Sequence, residues 1–324
     1  MKEIKDFYKK LFSKKQTESV DSTKQFLENL NLPKLSGAEK SACDEELTIN
    51  DLKEALLSME GGKSPGNDGL NKEWYVFFWE AIKETFFESI MDAKDSNVLS
   101  TSQRQAVIKL LEKKGSDKRY IKNWRPISLL NLDTKILTKA LAAKIKPVLS
   151  SIIKNDQTAY VNGRFIGESS RLISDIIETT HTLNIDGYLL TLDIQKAFDS
   201  VDHDFLLLSL EMFGFGENFI NWIKIILNGQ ESCVMNGGFS TGYFKLERGT
   251  RQGDPISAYL FLLVIEVFFT MIRENPAIKG LNILGFEYKL SAYVDDATCI
   301  LANEDSIVAT LQTFDIFSNI RAFL

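Results

Sequence analysis

Apolar positions recur first at helical spacing and then, past about residue 186, in short strand-like runs set between helices. Residues 49–57 form an amphipathic stretch that Thr48 or Asn50 can cap and that should stop at Gly61-Gly62. Residues 74–90 read as a helix with an aromatic face. Residues 134–149 read as another, with Ile136, Leu137, Ala140, Leu141 and Ile145 on one stripe. Between them, 106–111 and 125–130 have the character of two strands around a polar tip. Residues 158–166 carry Asn162-Gly163, a tight-hairpin signal, and 167–180 read as a further helix.

After residue 186 the pattern predicts a strand (188–194), helices at 204–213 and 219–227, and a hairpin about Gly237-Gly238. A glycine-bounded loop, a long helix (255–273), a hairpin (290–301) and a helix from Asp305 complete it. Helices mixed around an antiparallel hairpin predict an α+β unit of ferredoxin-like type, βαββαβ. The chain divides into a helical lead-in (1–45, with turns at Pro33 and Ser36-Gly37), a middle part (46–185) and a last part (186–324). No internal repeat is visible.

Composition adds bounds. A length of 324 residues suits about two domains. With 44% hydrophobic and 25% charged residues, wholesale disorder is excluded. Cys43, Cys233 and Cys299 are scattered, and with only His181 and His203 beside them they support neither a zinc site nor a disulfide framework. The lysine-rich start has no apolar signal core, and the apolar run 259–272 is broken by Glu266 and too short to span a bilayer. The expectation is an intracellular protein without membrane association, its compartment open. A net charge of −6 argues against a simple nucleic-acid coat, yet residues 104–125 hold eight basic side chains against Glu112 and Asp117. A solvated loop would explain that run as well.

Three carboxylates change the picture. Asp193 closes the apolar run 188–194, and Asp295-Asp296 sit at the tip of the 290–301 hairpin. Carboxylates at apolar strand ends repel one another and lose hydration, so a divalent cation between them is the natural compensation. Two such ions can align a hydroxyl and a phosphate for in-line displacement, which is polymerase or nuclease chemistry. Asp is also a common turn residue, so the pair alone carries little. Phe198 is either a core ring or one placed to occupy the space of a ribose 2′-hydroxyl. Asp199 and Asp202 are expected as turn and N-cap groups for the helix near His203. In the loop Arg248-Gly249-Thr250-Arg251-Gln252-Gly253-Asp254-Pro255, Asp254 should cap the next helix and Pro255 should open it. Arg251 and Gln252 should point into a cleft, with helix-start N–H groups free for phosphate. Lys63-Ser64 after Gly61-Gly62 is not a P-loop, because Leu57 stands where a glycine is required.

Six stretches, in order, resemble the reverse transcriptases of LINE-type non-LTR retrotransposons from about Glu46 onward. They begin at Gly62 (GKSPGNDGL), Leu111 (LEKKG, with NWRPISLL from Asn123), Gln157 (QTAYVNGRFI), Leu192 (LDIQKAFDSVDH), Arg248 (RGTRQGDPIS) and Tyr293 (YVDD). The resemblance implies a right-hand polymerase fold with fingers (46–185) and a ferredoxin-like palm (186–324). It implies RNA-directed DNA synthesis from an RNA template, a DNA primer and dNTPs, using two Mg2+ ions (or Mn2+). By the same resemblance, Asp193, Asp295 and Asp296 hold the metals with the Ile194 carbonyl, and Phe198 is the sugar gate. Lys113, Arg125 and Gln252 meet the incoming dNTP, and Lys63, Arg164, Arg251 and Gly253 meet template or primer.

Two departures stand out. Val294 occupies a position where this family usually carries alanine. After Asn319 the family continues into a last palm strand and a thumb, so the expectation is a thumb-less chain with weak or absent activity in isolation. A non-catalytic nucleic-acid-binding remnant stays open as the rival reading. An intron-encoded maturase-type polymerase fits the wording around Lys63–Leu70 and Trp124–Leu130 less well.

Overall fold

A computed structural model describes residues 1–14, 19–194 and 196–320; expectations touching Gln195 and residues 321–324 lie outside them. The lead-in is helical: α1 (Lys2–Leu11), α2 (Val20–Glu28) and α3 (Gly37–Asp44). Next come α4 (Ile49–Ser58), α5 (Lys72–Ser96) and α6 (Thr101–Arg104), then β1 (Gln105–Glu112) and β2 (Trp124–Leu130). Helices α7 (Leu132–Ile145), α8 (Leu149–Ile152) and α9 (Ile166–Leu183) lead to β3 (Tyr188–Leu192). The chain continues through α10 (Ala197–Ser200), α11 (His203–Met212), α12 (Glu217–Leu227), β4 (Glu231–Asn236), β5 (Phe239–Ser240) and β6 (Phe244–Lys245). It closes with α13 (Ser257–Glu274), β7 (Leu281–Ile283), β8 (Phe286–Tyr288), β9 (Leu290–Tyr293), β10 (Asp296–Leu301) and α14 (Glu304–Asn319).

Local chemistry explains several boundaries. Thr48 and Asp51 make a reciprocal capping box at the start of α4, so Thr48 rather than Asn50 is the cap. Asn303 caps α14 through the Ser306 N–H. Asn97 ends α5 in the left-handed conformation that asparagine tolerates. Helix α13 is buried on every side, so it runs through the core as a helix apolar all round must.

Two sheets position the site. The first is mixed: β2 pairs antiparallel with β1, and β1 pairs parallel with β4, which carries β5 and β6. Gln105 faces Glu231 in that parallel pair, so strands from before and after residue 186 share one sheet. The second is antiparallel, in the order β3-β10-β9. It has three strands among the described residues, where a full βαββαβ unit needs four. A small β7-β8 hairpin forms its own ladder, joined to the end of β10 by the Gly280–Leu301 bridge.

The structure departs from expectation in two further places. No hairpin forms at 158–166; Gln157 makes a single parallel bridge with Ala292, and Asn162-Gly163 is only a turn after it. The segment spends its backbone groups on the edge of β9 instead of on itself. Helix α13 opens at Ser257, not Pro255, because Asp254 accepts the Ile256 N–H within a turn that precedes the helix. Among the described residues no helix is long and apolar enough to cross a membrane.

Candidate active site

The antiparallel register brings the three carboxylates to one end of the second sheet. Leu192 faces Ala297 across β3 and β10, so the next residue, Asp193, comes out opposite Asp296. Asp296 in turn faces Tyr293 across the hairpin turn that holds Val294 and Asp295. All three aspartates line one cleft of about 860 Å3, together with Ile194. Burial raises the Asp295 carboxyl above the usual carboxylate range, and the negative charges of Asp296 and Asp193 raise it further. A cation is what such a group of like charges lacks. Among the described residues the aspartates do not close into a ready-made cage of three ligands. An open set suits Mg2+, which takes one or two carboxylates and completes its shell with water and substrate phosphates. In donor type, carboxylate oxygens, the residues present are those a hard divalent ion takes.

Another part of the cleft wall is basic. Lys113, Lys122 and Arg125, from the β1–β2 tip and the start of β2, all line it. The tip is ordered by its own bonds: the Lys113 N–H donates to the Asn123 carbonyl, and the Trp124 indole N–H to the Lys118 carbonyl. Lys118 and Arg119 spend their charges locally on Glu112 and Asp117. The basic run thus splits into a part that faces the cleft and a part that does not.

Phe198 lines the same cleft, its ring stacked on Phe261 of α13 at 4.6 Å and 20°. The 248–254 loop hangs on the same backbone. The Thr250 N–H donates to the Phe198 carbonyl and the Gly249 N–H to the Val201 carbonyl, each at 2.7 Å. Gly249 sits at φ +86, and a Cβ there would come within 2.8 Å of the Asp199 carbonyl oxygen, so glycine is required. The Gln252 carbonyl accepts the Ser128 N–H of β2, which ties the loop to the basic wall.

Asp199 is not the turn residue expected. Its carboxylate is buried and accepts from the Gln252 amide at 3.1 Å, while Asp202 is the N-cap of α11 through the Phe205 N–H. Burial pushes Asp199 up to about 6, against the pull of Lys196, Gln252, Arg248 and Lys113. The Lys196 ammonium, also in the cleft wall, sits 4.3 Å from the Phe7 ring of α1, and burial lowers its pKa. Tyr160, at φ +56 beside the aspartates, and Lys122 are further cleft residues the sequence reading did not single out. Tyr160 directly precedes the Val161-Asn162-Gly163 turn and lies within the motif stretch that begins at Gln157.

Of the residues expected against template or primer, Gly253 lines the cleft. Lys63 does not; it is exposed and paired with Glu60 at 2.8 Å. The Arg164 guanidinium donates to the carbonyls of Ile153, Lys154 and Gln157 and braces a turn. Arg251 is buried and donates to the carbonyls of Arg104 and Glu231, which pins the loop to the first sheet. Both arginines are held by main-chain oxygens, so neither reaches into the cleft.

Comparison with known proteins agrees with this geometry. Residues 111–320 match the family model described as reverse transcriptase (RNA-dependent DNA polymerase). The chain is similar to the transposon TX1 uncharacterized 149 kDa protein of Xenopus laevis, 36% identical over 94% of this chain and 23% of that protein. It is also similar to the retrovirus-related Pol polyprotein from the type-1 retrotransposable element R2 of Popillia japonica, 27% identical over 61% of this chain and 28% of that protein. The corresponding type-2 R2DM polyprotein of Drosophila melanogaster is 25% identical over 84% of this chain and 25% of its own length. The chain spans about a quarter of the length of these curated relatives.

Proposed function

The chain belongs to the reverse transcriptase (RNA-dependent DNA polymerase) family, as a domain of the non-LTR retrotransposon type, and from that premise we propose that its cleft extends a DNA primer on an RNA template. Reverse transcriptases use divalent metal ions. In this chain Asp193, Asp295, Asp296 and the Ile194 carbonyl would hold two Mg2+ (or Mn2+) ions. When bound, such ions make a primer 3′-hydroxyl more acidic and offset charge on the reacting phosphates.

The rest falls to side chains of the protein. Lys113 and Arg125 would bind the triphosphate from the fingers side, where their charge counters four anionic oxygens. Gln252, held by Asp199, would orient the nucleotide. Phe198, stiffened by its stack on Phe261, would leave no room for a 2′-hydroxyl and so select dNTPs. Gly253 would let the template backbone approach closely, and Lys63 would meet it at the surface. The placement of Arg164 and Arg251 supports a brace role for both over direct template contact. Fingers at 46–185 and a palm from 186 describe the two walls, with β4 reaching back into the fingers sheet.

One observation carries the reading: the register that sets Asp193 opposite Asp296 brings all three aspartates into the cleft that Lys113 and Arg125 also line. The test is RNA-templated dNTP incorporation, with RNA binding and Mn2+ titration measured alongside. Asp295→Ala should remove incorporation and most Mn2+ binding while leaving RNA affinity nearly intact. Equal Mn2+ binding and equal incorporation by variant and parent would sink the assignment.

A further inference from the structure

The hairpin that carries Asp295 and Asp296 is held in a costly shape. Val294, between Tyr293 and Asp295, has φ +61. A β-branched residue in the left-handed region is an outlier, and it persists only where its surroundings over-determine it. Val294 is buried, so water does not satisfy its backbone groups. The side chain of Gln157 does. The Val294 N–H donates to Gln157 Oε1 at 3.0 Å, and Gln157 Nε2 donates to the Val294 carbonyl at 3.1 Å. Gln157 is fully buried, and its Oε1 also accepts the Ala159 N–H at 2.9 Å.

We propose that Gln157 is a positioning residue for the carboxylate hairpin: its amide clamps Val294 in the left-handed conformation and thereby fixes where Asp295 and Asp296 emerge. The proposal rests on the reading of those aspartates as cation ligands.

Main-chain bonds prepare the clamp. The Ala292 N–H donates to the Asp156 carbonyl at 2.7 Å and the Thr158 N–H to the Ala292 carbonyl at 3.0 Å, so residues 156–158 serve the open edge of β9. Two residues on, the backbone turns away, and the amide of Gln157 takes the place of a neighbouring strand. The amide offers an acceptor and a donor on separate atoms; an ionised carboxylate lacks the donor, and asparagine is a methylene too short. The turn that presents Gln157 is itself fixed from two sides. Arg164 holds three of its carbonyls, and Arg273 of α13 binds Asp156 at 2.8 Å and the buried Glu266 at 2.8 Å. Arg164 therefore acts on the hairpin through Gln157.

The test uses the full 324-residue chain and two readouts that do not need turnover: Mn2+ affinity by electron paramagnetic resonance, and hydrogen exchange at the Val294 amide. Gln157→Leu should weaken Mn2+ binding by about tenfold or more and speed that exchange. Val294→Gly alone should change little, because glycine takes a positive φ without strain. The double variant should then recover most of the lost affinity, an outcome that a simple packing role does not produce. Additive losses in the double variant, or parent-like Mn2+ affinity in Gln157→Leu, would overturn the proposal. If Gln157→Leu fails to fold by circular dichroism, Gln157→Met replaces it. It keeps the length of the side chain with neither the amide donor nor its acceptor, so a comparable loss supports the clamp and parent-like affinity refutes it. Asp295→Asn separates the two levels. If it loses Mn2+ while the Gln157 variants keep it, the clamp alone falls. If it binds Mn2+ like the parent, the cation reading falls and the clamp with it.

Discussion

Replacing Asp199 with asparagine should flatten part of the pH dependence of folding stability. Burial raises this carboxyl from 3.8 to about 6 in the folded protein, so the native state holds its proton more tightly than the unfolded chain does. The stabilisation from that proton is full below about pH 4 and is lost as pH rises through about 6. A shift of roughly two units corresponds to about 3 kcal/mol, at about 1.4 kcal/mol per unit. Asparagine cannot titrate, yet it keeps an oxygen to accept the Gln252 amide bond. The attraction between Lys196 and the ionised Asp199 is already contained in the value of about 6, so it adds no separate effect. Urea unfolding of both proteins at pH 4, 5, 6 and 7 would show the difference. The stability of the variant relative to the parent should climb by up to about 3 kcal/mol across that range. Parallel curves would mean that the Asp199 carboxyl is not buried as described, and the account of this wall of the cleft would fail.

Two other outcomes follow from the geometry. Phe198→Val should lower discrimination against ribonucleotides by at least about tenfold in competitive incorporation, since the ring stacked on Phe261 is replaced by a smaller group; an unchanged ratio would remove Phe198 as the gate. Arg273→Met should cost about 3–5 kcal/mol in urea unfolding, because it removes the guanidinium that pairs with the buried Glu266 and its neighbour Asp156; a loss below about 1 kcal/mol would show that the network holds little of the fold.

Much of the site could be read from residue order. Asp193 and Asp295-Asp296 sit at strand ends because short apolar runs mark both strands, and the cleft residues Lys113, Arg125, Phe198 and Gln252 lie in motif stretches. What the chain order hides is which polar groups end up away from water. Asp199, Arg164 and Arg251 look like ordinary loop residues in one dimension; the approach of distant segments commits Asp199 to Gln252 and Arg251 to main-chain carbonyls, while Arg164 is committed by the turn just before it. The same limit explains the missing hairpin at 158–166. Asn162-Gly163 favours a tight turn locally, but the open edge of β9 offered the preceding backbone better partners. The exchange of bonds between Gln157 and Val294 has no local signature, because the two residues are far apart in sequence and meet only once the hairpin exists.

The parallel pairing of β4 with β1 bears on how the molecule is made. Strand β1 has to wait for β4, which lies more than a hundred residues downstream, before its second edge is filled. Loop closure over such a span is entropically slow, and high contact order of this kind delays folding. During synthesis the sheet that presents Lys113 and Arg125 therefore stays unfinished until β4 has left the ribosome, with β1 meanwhile an exposed edge that a chaperone has reason to cover.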